Sequence, residues 1–358
     1  MPDYTTTIAT LLAGVVGGAA LCFAALKQSK PPPSTSKFIC QETPPNPTTP
    51  AKWLSFAVAR MKKITPPRQS NFRVYAILTW EDTTHNTKGW ISGTNSEQSF
   101  IGGSLCAERA AAVQLRELPS TVQVTAVYLT SDLLGTPITP GVLCREYLLS
   151  CISPDTPIWM TTADLSTTTS STLRQLYPYP NMYERITRNN LKACGQACCA
   201  KTAAVLDQDH WRHDSDTNAA ATWSRLIAAA GKASQGDAAM GGSLHPIMYG
   251  AAVEFNDGSI RVSCQKAGLE YGTTVDAVTS LLRDIDTKNN EGARPIRLVQ
   301  VDQYENLIAP FAPARAQLYE RGHEDLKVAV VDPTTGRKRS VTVASLVPDC
   351  PKMSEIWG

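Results

Sequence analysis

Charge is scarce in this chain of 358 residues: Asp, Glu, Lys and Arg make up 18%, below the usual quarter. Hydrophobic residues make up 42%, so the chain is neither wholly disordered nor a coiled coil. No excess of one sign is present either. The net charge is +2 and the isoelectric point about 8.0, which gives no electrostatic signature of a nucleic-acid or strongly acidic partner. Aromatics are few, at 7%, and basic patches with interleaved aromatics are not evident, so single-stranded nucleic acid is not expected as a ligand. Ten cysteines are too sparse for a disulfide scaffold, and their spacing has to be read for metal binding or catalysis. A mean hydropathy of −0.18 excludes a polytopic membrane protein but leaves room for a single span.

One such run is present. Ile8 to Leu26 is nineteen mostly apolar residues, close to the length needed for a hydrocarbon core of about 30 Å. No Lys or Arg precedes it, and Lys27, Lys30 and Lys37 follow directly, which places the remainder on the cytoplasmic side. The positive n-region and cleavage site of a secretory signal are missing. Residues 1–30 are therefore expected to be a membrane anchor, with an uncleaved apolar tail or targeting segment as the alternative. Pro-rich residues 31–50 read as a semi-rigid stalk.

Beyond the stalk the pattern becomes globular. Residues 53–63 suit an amphipathic helix, 72–80 a buried strand, and 89–92 the start of a second strand. Residues 106–118 suit a helix, 124–131 a third strand, 144–151 a helix and 157–162 another strand. This order predicts an α/β fold: a three-layer α/β/α domain with a mixed sheet over 51–163. Two helix starts carry thiols, Cys106 in C-A-E-R and Cys144 in P-G-V-L-C-R. A helix N-terminus favours thiolate, the form that binds metals.

Four motifs then occur in order: Phe72-Arg73-Val74-Tyr75-Ala76, Gly93-Thr94-Asn95-Ser96-Glu97, Cys106-Ala107-Glu108-Arg109, and Pro140 with Cys144 and Arg145. Together they resemble the zinc-dependent cytidine deaminase family. The resemblance implies that Cys106 and Cys144 bind Zn2+ and that Glu108 shuttles the proton. It further implies that Phe72 stacks on a pyrimidine, that Asn95 and Glu97 hold ribose hydroxyls, and that Ala107 belongs to the substrate side. Arg109 and Arg145 are supporting residues, Arg109 offsetting thiolate charge. The expected small-molecule partner is a pyrimidine nucleoside, deaminated at cytidine or deoxycytidine.

The chain departs from the family at two points. Gly141 stands where the middle cysteine is expected, and Glu146 where the family has glutamine. Catalytic zinc normally takes three protein ligands and a water, and Cys106 with Cys144 supply two. Cys151 lies about 10 Å further along the helix, too far to stand in for it; His85 has no ligand spacing to either thiol. A catalytically inactive nucleoside-binding protein or membrane-tethered scaffold is therefore the alternative function.

Residues 164–243 read as a helical connector, with CGQACC at 194–199 and HWRH at 210–213 taken as packed helix rather than zinc sites. Residues 244–350 resemble a second, degenerate copy of the domain without the zinc thiols, with an unrelated α/β domain as the alternative. In that reading Asp276 lies near the place of Glu108, Pro310 and Arg315 mirror Pro140 and Arg145, and Phe311 and Ala314 occupy the thiol places. The two copies would form an intramolecular pseudo-dimer, with further homo-oligomerisation open.

Overall fold

The computed structural model describes residues 49–99, 103–180, 219–237, 247–268 and 273–351. The expected anchor at 8–26, the stalk, and the CGQACC and HWRH segments lie outside these residues. Among the described residues no helix is long and apolar enough to cross a membrane.

The first half runs α1 (Pro50–Lys62), β1 (Val74–Asp82), β2 (Thr87–Thr94), α2 (Ala107–Ala112), β3 (Gln123–Ser131), α3 (Val142–Leu149), β4 (Pro157–Thr161), β5 (Thr168–Thr172) and α4 (Leu173–Leu176). Its five strands form one mixed sheet in the order β2-β1-β3-β4-β5. β1 runs antiparallel to β2 and β3, β3 parallel to β4, and β4 antiparallel to β5. Helix α1 opens with Pro50, which suits a first turn whose N–H has no partner, and ends with Arg60 and Lys62 facing the negative helix end. It buries Trp53, Leu54, Ala57 and Met61 against Tyr75, Ile77 and Tyr128. The opposite face of the sheet packs Ala76, Leu78 and Leu129 against Ala107 and Ala111 of α2 and Leu148 of α3. β1 is apolar on both faces because both are covered. This is the three-layer arrangement expected from the sequence.

Gly93 sets how closely α2 approaches the sheet. A Cβ there would fall 2.4 Å from both Ala107 O and Ala111 N, so only glycine lets the helix carrying Glu108 sit this low on β2. After Ala112 the helix tightens into a 3₁₀ turn over Val113–Glu117, shorter as an α-helix than the 106–118 expected.

The second half repeats the order: α5 (Ala219–Ser234), β6 (Tyr249–Phe255), β7 (Ile260–Cys264), α6 (Ala277–Asn290), β8 (Pro295–Asp302), α7 (Ala312–Glu320), β9 (Lys327–Val331), β10 (Lys338–Thr342) and α8 (Val343–Leu346). Its sheet order, β10-β9-β8-β6-β7, is the first one read backwards. α5 buries Trp223 and Leu226 on Ala252 and Val299, and the other face packs Ala251 and Val253 against Leu281 and Leu318.

The structure corrects three expectations. The first sheet does not end at residue 163: β5 and α4 complete it. β5 is TTSST, an exposed polar edge strand, and carries none of the apolar alternation that marks a half-buried strand. The supposed connector also contains α5, which covers the second sheet as α1 covers the first. Finally, Asp276 takes the place of Cys106, not that of Glu108. Isolated bridges fix the register, Ser96 with Leu105 in one half and Lys266 with Val275 in the other. The next residue caps a helix in each case, Cys106 on α2 and Asp276 on α6. Val278 therefore stands where Glu108 does, and Asp276 accepts hydrogen bonds from Val278 N and Thr279 N as an ordinary N-cap. With both thiols gone, a short motif slides by two residues unless pairing pins it.

The halves are braced by a reciprocal exchange. The fully buried Arg145 donates to Pro140 O (2.7 Å) and Leu176 O (2.7 Å) of its own half, and to Pro348 O (2.6 Å) and Asp349 O (3.2 Å) of the other. Arg315, equally buried, donates to Pro310 O and Leu346 O, and across to Pro178 O (2.9 Å) and Tyr179 O (2.5 Å). Its guanidinium also lies 4.0 Å from the centroid of the Tyr177 ring. Arg145→Met keeps the aliphatic stem but strips several buried carbonyls of their donor. Each such group costs about 1–3 kcal/mol, so a loss of at least about 3 kcal/mol is expected in chemical denaturation. Arg174→Met, which removes an ion pair to Asp155 exposed on both sides, should cost under about 1 kcal/mol. Equal losses for the two variants would show that Arg145 is not a brace.

Candidate metal centre

Two helix starts converge at one end of the first sheet. Cys106 is the N-cap of α2, in extended conformation (φ −75°, ψ 156°), and Glu108 follows in its first turn. Cys144 lies in the first turn of α3, behind the loop of Thr139 and Pro140. The parallel pairing of β3 with β4 aligns the helices that precede and follow it. The two sulfurs and a Glu108 carboxylate oxygen all lie within 4.8 Å of one another. Cys144 is fully buried, Glu108 is 3% exposed, and Cys106 is partly open.

The electrostatics follow from this packing. A hydrogen bond from Cys144 and the Arg109 guanidinium pull the Cys106 thiol down to about 6. Donating that bond, and being buried, pushes the Cys144 thiol well above its ordinary value. Burial, with Cys106 charge beside it, lifts the Glu108 carboxyl to about 7. Arg109 Nη2 stands 3.5 Å from Cys106 Sγ. Arg145 acts on the cluster only through space, its charge reaching Cys144 and Glu108. Its guanidinium is spent on the carbonyl brace and on Thr139 Oγ1 (2.9 Å).

The other expected residues form a second group. Asn95 ties the end of β2 to the chain entering β1: Nδ2 donates to Phe72 O (2.8 Å) and Oδ1 accepts from Val74 N (2.8 Å). Glu97 accepts from Ser70 N (2.7 Å) and Ser70 Oγ (2.5 Å). Its charge also reaches Cys106, where it opposes ionisation. Phe72 is half-buried and its N–H donates to Ser70 Oγ (3.1 Å). Ala107 is fully buried in the core with Ala76 and Leu78, which leaves only its backbone to face a ligand. Ser70 was not singled out from sequence, since a lone serine after PPR carries no motif. Glu146 turns inward: Oε1 accepts from Tyr177 Oη (2.8 Å) and Oε2 from Ala312 N (3.2 Å), so it caps α7 of the other half.

Neither of the reserve ligands reaches the centre. His85 Nδ1 is bonded to Asp82 (2.7 Å), and Cys151 is exposed at the far end of α3. Among the described residues Cys106, Glu108 and Cys144 are the one cluster of this kind. Two thiols side by side suit zinc, a borderline-soft ion that accepts sulfur ligands, and the carboxyl beside them remains for proton transfer. At Gly141 the backbone is ordinary (φ −60°, ψ 156°) and a Cβ would meet nothing within 4 Å. Position 141 therefore opens onto free space, not onto another group.

No protein-family model and no curated protein sequence matches the chain. Solved structures do align with part of it. A cytidine deaminase from Mycobacterium tuberculosis is 24% identical over 36% of this chain and 95% of its own, with a TM-score of 0.30. One from Mycobacterium leprae is 25% identical over 35% and 97%, with a TM-score of 0.29. One from Burkholderia pseudomallei is 23% identical over 36% and 94%, with a TM-score of 0.30.

Proposed function

We propose that the first half of the chain is a zinc-dependent deaminase site for cytidine or deoxycytidine, and that the second half serves as the inactive member of an intramolecular pseudo-dimer. One observation carries this reading. Two thiols and a buried carboxyl, from motifs nearly forty residues apart, meet within 4.8 Å at paired helix starts. Cys106 and Cys144 would hold the ion, and zinc when bound supplies Lewis acidity that makes a water nucleophilic near neutral pH.

The remaining roles belong to the chain itself. Glu108 is buried beside the sulfurs, where a carboxyl can take a proton and pass it to the pyrimidine N3 and then to the departing amine. Arg109 balances negative charge on Cys106. Ser70 uses two of the roughly four acceptor positions of the Glu97 carboxylate, leaving the others for a ribose hydroxyl. Asn95 keeps one amide proton after bonding Phe72 O. Both groups are thus oriented before any ligand arrives, which lowers the entropic cost of binding.

Gly141 favours a second reading, a deaminase-like protein that binds nucleosides without turning them over, because one family thiolate is gone. The two are separated by the full-length chain, purified without chelator. About one zinc per chain and loss of the cytidine absorbance are expected. Metal content near zero would remove the zinc assignment. A zinc-loaded chain that leaves cytidine, deoxycytidine and their monophosphates intact would establish the binding-only reading.

A further inference from the structure

The pair of thiols has a chemistry of its own. We propose that Cys106 and Cys144 form a redox-active dithiol, which a hydroperoxide closes to an intramolecular disulfide when no metal holds the sulfurs. This goes beyond the deaminase reading and does not require it.

The geometry supplies each element. The two sulfurs lie within 4.8 Å of one another, a gap that side-chain rotation can narrow toward the ~2.05 Å of a disulfide. They differ in access: Cys106 is partly exposed and Cys144 is fully buried beside it. The outer sulfur meets the oxidant and the inner one is placed to resolve it. Arg109 Nη2 lies 3.5 Å from Cys106 Sγ. At position 141 a third thiolate would help a metal hold the pair, and glycine leaves that position open. The other described thiols, Cys151, Cys264 and Cys350, are not in this cluster.

The steps balance. The Cys106 thiolate attacks one peroxide oxygen; the O–O bond breaks, an alcohol or water departs, and Cys106 becomes a sulfenic acid. Cys144 sulfur then attacks Cys106 sulfur. The S–S bond forms, the S–O bond breaks, and the hydroxide takes the Cys144 proton and leaves as water. Two thiols are oxidised by two electrons in all, and one hydroperoxide is reduced. The product ties the first turn of α2 to that of α3 and removes both thiolates from metal binding.

The test uses the full-length chain, reduced and stripped of metal, exposed to stoichiometric hydrogen peroxide, alkylated and mapped by mass spectrometry. A Cys106–Cys144 disulfide in most chains, reversed by dithiothreitol, is expected. Cys144→Ser should instead leave Cys106 as a sulfenic acid that dimedone labels. Wild-type chains oxidised at Cys106 to sulfinic acid with no bond to Cys144, or with Cys106 joined to another cysteine, would overturn the proposal. Excess zinc added beforehand should slow closure at least 10-fold. If the disulfide forms and zinc does not slow it, the dithiol stands and the zinc-dependent function fails.

Discussion

Glu108→Gln should lower deamination by roughly 10²–10⁴-fold, the range typical of a general acid–base group, while zinc content and thermal stability stay unchanged. Glutamine matches glutamate in size and keeps an oxygen acceptor, so the buried space at this position remains filled. What it loses is the capacity to take and release a proton. Among the described residues no other carboxyl joins the two thiols in their cluster. Asp276→Asn is the matched control. Asp276 caps α6 through Val278 N and Thr279 N, a task asparagine performs equally well, so turnover should stay within a few-fold. Steady-state kinetics on both variants, with metal content measured in parallel, decide the matter. Turnover that survives Glu108→Gln refutes the assignment.

Gly141→Cys should raise zinc affinity by about 10²-fold. Zinc sites with four protein ligands bind with about 10–16 kcal/mol, so one thiolate is worth roughly 3 kcal/mol, or about two orders of magnitude. The backbone accepts the side chain without strain, because φ is −60° and no atom lies within 4 Å of the added Cβ. Gly141→Ala separates the thiolate from the side chain itself and should leave both folding and affinity near those of the parent. Competition against a chromophoric chelator reads the change. An unchanged affinity for Gly141→Cys would mean that this helix start does not present its cap to the metal.

Much of this molecule could be read before any coordinates. The three layers of the first half follow from apolar runs at strand and helix periods, because burial against a neighbouring layer leaves a periodic mark on residue type. The thiols and Glu108 were legible for a related reason: C-A-E-R at a helix start and Cys144 after Pro140 are local patterns. Gly93 belonged to a recognised motif, but its packing reason, the 2.4 Å clash that a Cβ there would make with α2, required the tertiary fold.

Other features left no such mark. Backbone carbonyls of Pro348 and Asp349 accept from Arg145, and any residue type offers a carbonyl, so the brace between halves was invisible. Ser70 holds Glu97 across a loop, and Glu146 caps a helix of the opposite half. Both depend on chain segments brought together only when the layers close. Strand β5 escaped because a polar edge strand is paired through its backbone and exposes its side chains. The register of the second copy was set by bridges at Lys266 and Val275, not by residues that look alike, which is why Asp276 proved to stand for Cys106. Side-chain identity at short range marks most of the elements and the cluster of two thiols with Glu108, because these rest on local patterns of residue type. The tertiary structure alone decided which groups are shared, braced or consumed, since those bonds run to backbone atoms common to every residue.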